Sequence, residues 1–174
     1  MKKVCLNISV LFFCILVSGC IFQNENEKQM DMTPRQYAEK QAEELMQGII
    51  NKDKEAIKAL FSNQMKQTLR FDKEVEGMLE FIEGEIISYD MPFGKIHGGR
   101  TELGKGYVEQ RIGGEINNIK TDKGGNYTIS FMSYYIYDEN KDLVGINIIS
   151  IFDENSYTEE KPYIPSNIYR IGGE

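Results

Sequence analysis

The chain has 174 residues, 41% of them hydrophobic and 27% charged, and a formal net charge of −7. That length suffices for one domain with its own core and is short for two. So acidic a chain argues against a nucleic-acid partner, whose footprint is a basic patch.

The first residues read as a processing signal rather than as fold. Lys2 and Lys3 are followed by an apolar stretch from Val4 to Val17, broken only by Asn7 and Ser9. As a helix it would span roughly 21 Å, short of the about 20 apolar residues that a bilayer core needs. Val17-Ser18-Gly19-Cys20 comes next. This run resembles the lipobox of bacterial lipoproteins: a branched apolar residue, two small residues, then a cysteine. The resemblance implies cleavage before Cys20 and a diacylglyceryl thioether on its thiol. Two acyl chains suffice for stable anchoring where one does not. The expected organisation is a signal peptide over 1–19, the lipidated Cys20 and a flexible tether over 20–32, and one α+β domain over 33–174. The expected place is the outer, extracytoplasmic face of the cell membrane, with the membrane as a partner through Cys20.

Cys5 and Cys14 fall inside the leader, so Cys20 is the one cysteine left after cleavage. The domain is therefore expected to have no disulfide and no thiolate metal site. Loss of Lys2 and Lys3 lowers the net charge of −7 by two, to −9. Lipid rather than an acidic surface is then expected to make the membrane contact. Ile21–Met32 is polar after Phe22 and lacks periodicity; as a coil it would reach about 20 Å on average.

Thr33-Pro34 is a helix start, Thr as cap and Pro in the first turn. Ala38, Ala42, Leu45, Met46, Ile49 and Ile50 recur at helical spacing after it, with Tyr37 beside them. Asp53 caps a second predicted helix carrying Ala56, Ile57, Leu60, Phe61, Met65 and Leu69, with a break at Ser62-Asn63. Asp72 caps a third, with Val75, Met78, Leu79 and Ile82 as its stripe and Gly84 at its end. The period then changes. Glu85–Met91 is a first strand, and 92–106 is a long glycine-rich loop, with a short strand inside it as the alternative. Tyr107–Asp122 is a strand bent at Gly113-Gly114, and Lys123-Gly124-Gly125-Asn126 is a hairpin turn. Tyr127–Tyr137 and Leu143–Phe152 are strands, and Asn167–Ile171 is an edge strand. Ten of the 16 glycines lie between Gly94 and Gly145, which predicts a strongly curved, bulged sheet.

Helices first and an antiparallel sheet after them is the α+β pattern: three helices packed on a curved sheet as a cone. The chain resembles the cystatin-like, nuclear transport factor 2-like (ketosteroid-isomerase-like) cone fold, and more narrowly uncharacterised bacterial lipoproteins with a domain of unknown function. The residues behind this are Leu60-Phe61-Ser62, Leu79-Glu80-Phe81-Ile82-Glu83-Gly84, Gly104-Lys105, Ile119-Lys120-Thr121-Asp122 and the hairpin of 126–152. These motifs are structural, and fold alone does not give function.

Gly99-Arg100-Thr101-Glu102-Leu103-Gly104-Lys105-Gly106 nearly spells a phosphate-binding loop, but Gly106 stands where Ser or Thr must hold magnesium. His97 is the only histidine, so a His-rich metal centre is not expected, and no cofactor is expected either. The Tyr127 strand is more informative. Tyr127, Ile129, Phe131, Ser133, Tyr135 and Tyr137 alternate onto one face. Asn147 lies among hydrophobes on the next strand and needs partners. Two readings stay open: a packed core with one satisfied Asn, or a pocket lined by Phe131, Tyr135, Tyr137 and Asn147 with Glu109 and Arg111 at its rim. Such a pocket would suit a small apolar or ring-shaped ligand. The expected function is non-enzymatic binding of a ligand or an envelope partner. The alternatives are an interaction module using the outer sheet face and a small lyase or isomerase in the cone.

Overall fold

The computed structural model describes residues 32–156 and 167–173. The leader, Cys20 and most of the tether lie outside them. Helix α1 spans Pro34–Ile50. Its start is a capping box: the Gln36 amide donates to Thr33 Oγ1 at 3.3 Å, and the Thr33 amide donates to Gln36 Oε1 at 3.0 Å. Two donors left over at a helix start are thereby satisfied. Ala38, Ala42, Leu45, Met46 and Ile49 are buried, whereas Ile50 lies at the exposed edge of the stripe.

The expected second helix is two short ones, α2 (Lys54–Ala59) and α3 (Asn63–Lys66). The cause is tertiary. The Ile146 amide donates to the Leu60 carbonyl, and the Ser62 amide donates to the Ile146 carbonyl, each at 3.0 Å. Leu60-Phe61-Ser62 is thus held as a parallel bridge to the sheet and cannot wind on. Ser62 restarts the helix, its hydroxyl accepting from the Met65 amide. Leu69, placed in this stripe by its spacing, is fully exposed.

Helix α4 spans Phe71–Phe81. Asp72 is not its cap. The chain is already winding before it, with the Thr68 amide on the Met65 carbonyl and the Phe71 amide on the Thr68 carbonyl. Arg70 is therefore helical and makes no side-chain cap, and Asp72 sits in the first turn, where negative charge is favourable. Val75 and Met78 are buried, and Leu79 is only partly so.

Six antiparallel strands form one sheet: β1 (Ile86–Ser88), β2 (Phe93–Glu102), β3 (Gly106–Thr121), β4 (Asn126–Tyr137), β5 (Gly145–Asp153) and β6 (Ile168–Ile171). β1 and β2 share one edge of β3, and β4, β5 and β6 follow on the other side. The glycine-rich stretch is a ten-residue strand, longer than the short one allowed within a loop there. Its glycines serve packing and bulging: a Cβ at Gly94 would strike the Arg35 carbonyl of α1, and Gly98, at φ +124°, follows a register shift. Gly113 and Gly114 keep regular pairing with β4; the irregularities of β3 fall at Gln110/Arg111 and Ile116/Ile119. The Lys123–Asn126 turn and the edge position of β6 are as expected.

The helices cover one sheet face. Leu45, Met78, Ile116, Ile129, Ile149 and Ile151 are among the fully buried side chains between the layers, each contributing about 1.5–3 kcal/mol. β6 is clamped to α4 by Tyr169, whose hydroxyl donates to the Glu74 carbonyl at 2.8 Å. Gly77 leaves room for that ring. No described helix is long and apolar enough to cross a membrane.

Candidate ligand seat between α1 and β4

One bulge rearranges the residues expected to line a pocket. Along β4, Ser133 pairs with Ile112 and Tyr134 with Arg111, but Gln110 pairs with Ile136. Tyr135 is the extra residue, and an extra residue inverts the alternation beyond it. Tyr135 faces the helices, its ring 5.2 Å from that of Tyr37 on α1. Tyr137 instead joins Tyr134 on the outer face, ring centroids 4.8 Å apart. Glu109 pairs with Tyr137 and Arg111 with Tyr134, so both charges are outside as well. They form an ion pair at 3.4 Å.

Asn147 is the extra residue of a second bulge: Met132 pairs with Ile148, and Ser133 with Ile146. Its amide is fully engaged. It donates to the carbonyls of Leu143 at 2.8 Å and Gly145 at 2.7 Å, and its Oδ1 accepts from the Ser62 hydroxyl at 2.8 Å. Asn147 is therefore a fastener between α3 and β5. Phe131 is buried over Gly114. Of the six predicted residues, Phe131 and Tyr135 share the helix side, Tyr137, Glu109 and Arg111 share the outer side, and Asn147 belongs to the fastener.

The helix side holds two residues outside that set. Gln41 is 3% exposed and Ser133 is 0% exposed. Gln41 Oε1 and Ser133 Oγ are buried without a hydrogen-bond partner. Their neighbours lie along the same interface between α1 and the sheet. Tyr37 on α1 meets Tyr135 on β4, and Ala42 on α1 meets Gly114 beneath the Phe131 ring. Gln41 lies one turn from Tyr37, and Ser133 lies between Phe131 and Tyr135. Burying an oxygen without a donor costs about 1–3 kcal/mol, so this interface is polar at a cost to the fold. Gln41 was legible as a polar residue inside an apolar helical stripe; Ser133 was legible as a small polar residue in an aromatic row.

The chemistry on offer at Gln41 Oε1 and Ser133 Oγ is acceptance of hydrogen bonds. Burial pushes the Tyr135 hydroxyl above the ordinary phenol range, so it stays neutral and can donate. The buried polar side chains among the described residues are all uncharged. His97 lies on the other side of the sheet, against the outward position of Gly113. Among the described residues no buried titratable carboxylate or histidine accompanies Ser133, and a serine nucleophile needs an adjacent base. Among the described residues no group of three or more His, Cys, Asp and Glu could hold a metal ion. Two clefts, of about 290 and 250 Å³, lie elsewhere, one at the β3–β4 turn by Tyr127 and Lys123, the other where the end of α1 meets Leu79 and Ile86.

Fold and site together define an α+β domain with a neutral, hydrogen-bonding patch under its first helix. Residues 44–154, more than half of the chain, match the family described as a domain of unknown function, DUF5104, and the chain belongs to that family. The matched span runs from the middle of α1 to the end of β5 and takes in Ser133. No curated protein matches the chain.

Proposed function

We propose that this chain is an extracytoplasmic lipoprotein, held in the membrane by lipid on Cys20, whose domain binds a small neutral ligand without transforming it. The domain is a cone of the nuclear transport factor 2-like kind, with its seat between α1 and β4. The observation that carries the binding reading is the pair of unpartnered buried oxygens, Gln41 Oε1 one turn after Tyr37 on α1 and Ser133 Oγ two residues before Tyr135 on β4, where the two tyrosine rings meet. Helices preceding a bulged antiparallel sheet support the cone, and Val17-Ser18-Gly19-Cys20 supports the anchor.

A thermal-shift screen of neutral small molecules bearing hydrogen-bond donors tests the seat on wild type, Gln41→Leu and Ser133→Ala. Hits are expected to raise the melting temperature of wild type and not of the variants. The variants themselves should be as stable as wild type or more so, because each removes a buried oxygen without a partner. A screen that moves nothing, or moves all three proteins alike, overturns the seat. The anchor is tested separately: Cys20→Ser should abolish acyl labelling and release the protein from membranes, and retention of both would overturn it.

A further inference from the structure

We infer that the first half of α1, residues 34–42, is a lid over the ligand seat, latched by Tyr37 and pivoting on the second half of the helix; this rests on the ligand-seat reading above. The seat is shut as it stands. Gln41 is 3% exposed and Ser133 is 0% exposed, so a ligand reaches their oxygens only when a covering element moves. β4 is not that element, because it is laddered to β3 on one side and to β5 on the other. The two halves of α1 are held very differently. The second half sinks Leu45, Met46 and Ile49 into the core, and large apolar side chains supply most of the free energy of burial. The first half buries Ala38, Gln41 and Ala42, two methyl groups and an amide. Ala38 faces Gly94, and Ala42 faces Gly114, so helix and sheet meet there with little side-chain surface between them.

Small residues alone make no lid; two further features do. Gln41 Oε1 is buried within the first half and has no hydrogen-bond partner, so the closed form carries a penalty that opening to water removes. The lifted segment also keeps its own helix. Its capping box at Thr33 and Gln36, and the ion pairs of Arg35 with Glu39 at 3.1 Å and of Lys40 with Glu44 at 3.4 Å, act within the helix and need no sheet. The second of these pairs joins the moving half to the fixed one. Tyr37 opposes the opening: its ring lies 5.2 Å from that of Tyr135, and this ring pair is the latch. Tyr37 lies at Tyr135, and Ala42 lies at Gly114 beside Phe131. Lifting the segment therefore opens the helix-facing side of β4 on both sides of Ser133.

Thiol accessibility at position 133 tests the lid. Full-length Ser133→Cys protein is treated with N-ethylmaleimide, and modification is read by mass on the peptide that carries position 133, so the other cysteines do not interfere. Urea curves of the same protein give the labelling that global unfolding alone would produce. Labelling is expected to run about tenfold or more above that level, as local opening does, and to be insensitive to low urea, because little surface is exposed. Adding Tyr37→Ala should speed it about 2- to 12-fold, the worth of a ring pair. Adding Gln41→Leu should slow it about 5- to 150-fold, the cost of a buried oxygen without a partner. Gln41→Cys, read in the same way with and without Tyr37→Ala, serves if Ser133→Cys does not fold. Labelling no faster than global unfolding, or unchanged by Tyr37→Ala and Gln41→Leu, overturns the lid. If the thermal-shift screen still yields hits in that case, the seat stands and the lid alone falls. Fast labelling beside a screen that moves nothing overturns the seat, and the lid with it.

Discussion

The Ser62 hydroxyl donates to Asn147 Oδ1 at 2.8 Å, joining the start of α3 to the start of β5 across 85 positions of sequence. The same hydroxyl caps α3 by accepting from the Met65 amide at 3.3 Å. Ser62→Ala removes both bonds and leaves Asn147 Oδ1 without its donor. The expected cost is about 1–3 kcal/mol, read as a fall in the urea midpoint with an unchanged slope. An unchanged midpoint would mean that the fastener does not hold in solution.

Tyr135 and Tyr137 are expected to behave differently because they lie on opposite sheet faces. Tyr135→Ala should abolish any ligand-induced rise in melting temperature, and Tyr137→Ala should leave that rise intact. Phe131→Ala, inside the core, should cost about 3–5 kcal/mol. Equal loss of the ligand response in Tyr135→Ala and Tyr137→Ala would show that the bulge at Tyr135 is misplaced.

Helix α4 presses Met78 fully into the core and Leu79 only partly. Met78→Ala is expected to cost about 2–5 kcal/mol and Leu79→Ala clearly less. Chemical denaturation of the two variants side by side checks the rotation of the helix; the reverse order would turn it by one residue.

Tyr169 gives the fold an alkaline limit. Burial, then the carboxylates of Glu74 and Glu80, raise its pKa above the ordinary phenol range. A group whose folded pKa is raised contributes stability that is full below its unfolded pKa, about 10 for Tyr, and lost as pH rises through the folded value. At neutral pH, Tyr169→Phe should cost about 0.5–1.5 kcal/mol, the worth of the hydroxyl bond to Glu74. The gap between wild type and variant should close above about pH 10. Melting curves of both proteins from pH 7 to 11 test this, and a constant gap would count against it.

Local chemistry was legible in the sequence wherever one segment decides its own shape. Thr33-Pro34 starts α1, Lys123–Asn126 turns β3 into β4, and the row from Tyr127 to Ser133 alternates toward the helices. Features that need a partner strand were not. The extra residues at Tyr135 and Asn147 arise from mismatched spacing between neighbouring strands, so no window of one strand contains them. Phe61 carries a helical pattern yet is claimed by Ile146. The glycines of β2 suggested a loop because a glycine that admits a helix backbone and one that frees a turn are written alike. The seat shows the same limit: periodicity put Tyr137 beside Tyr135, and the bulge parted them.

The edge position of β6 bears on the order in which the protein can be completed. Its residues Ile168–Ile171 pair with Ile149–Phe152 and carry Tyr169 onto α4, and they leave the ribosome after every other described strand. Until they emerge, one side of β5 has no ladder partner, and the apolar face beneath Tyr169 is uncovered. A chain stalled a few residues early would carry an open strand edge, the usual starting point for aggregation and a target for quality-control proteases. Synthesis as far as β6 is thus checked by the fold itself, since among the described strands β6 alone closes that side of β5.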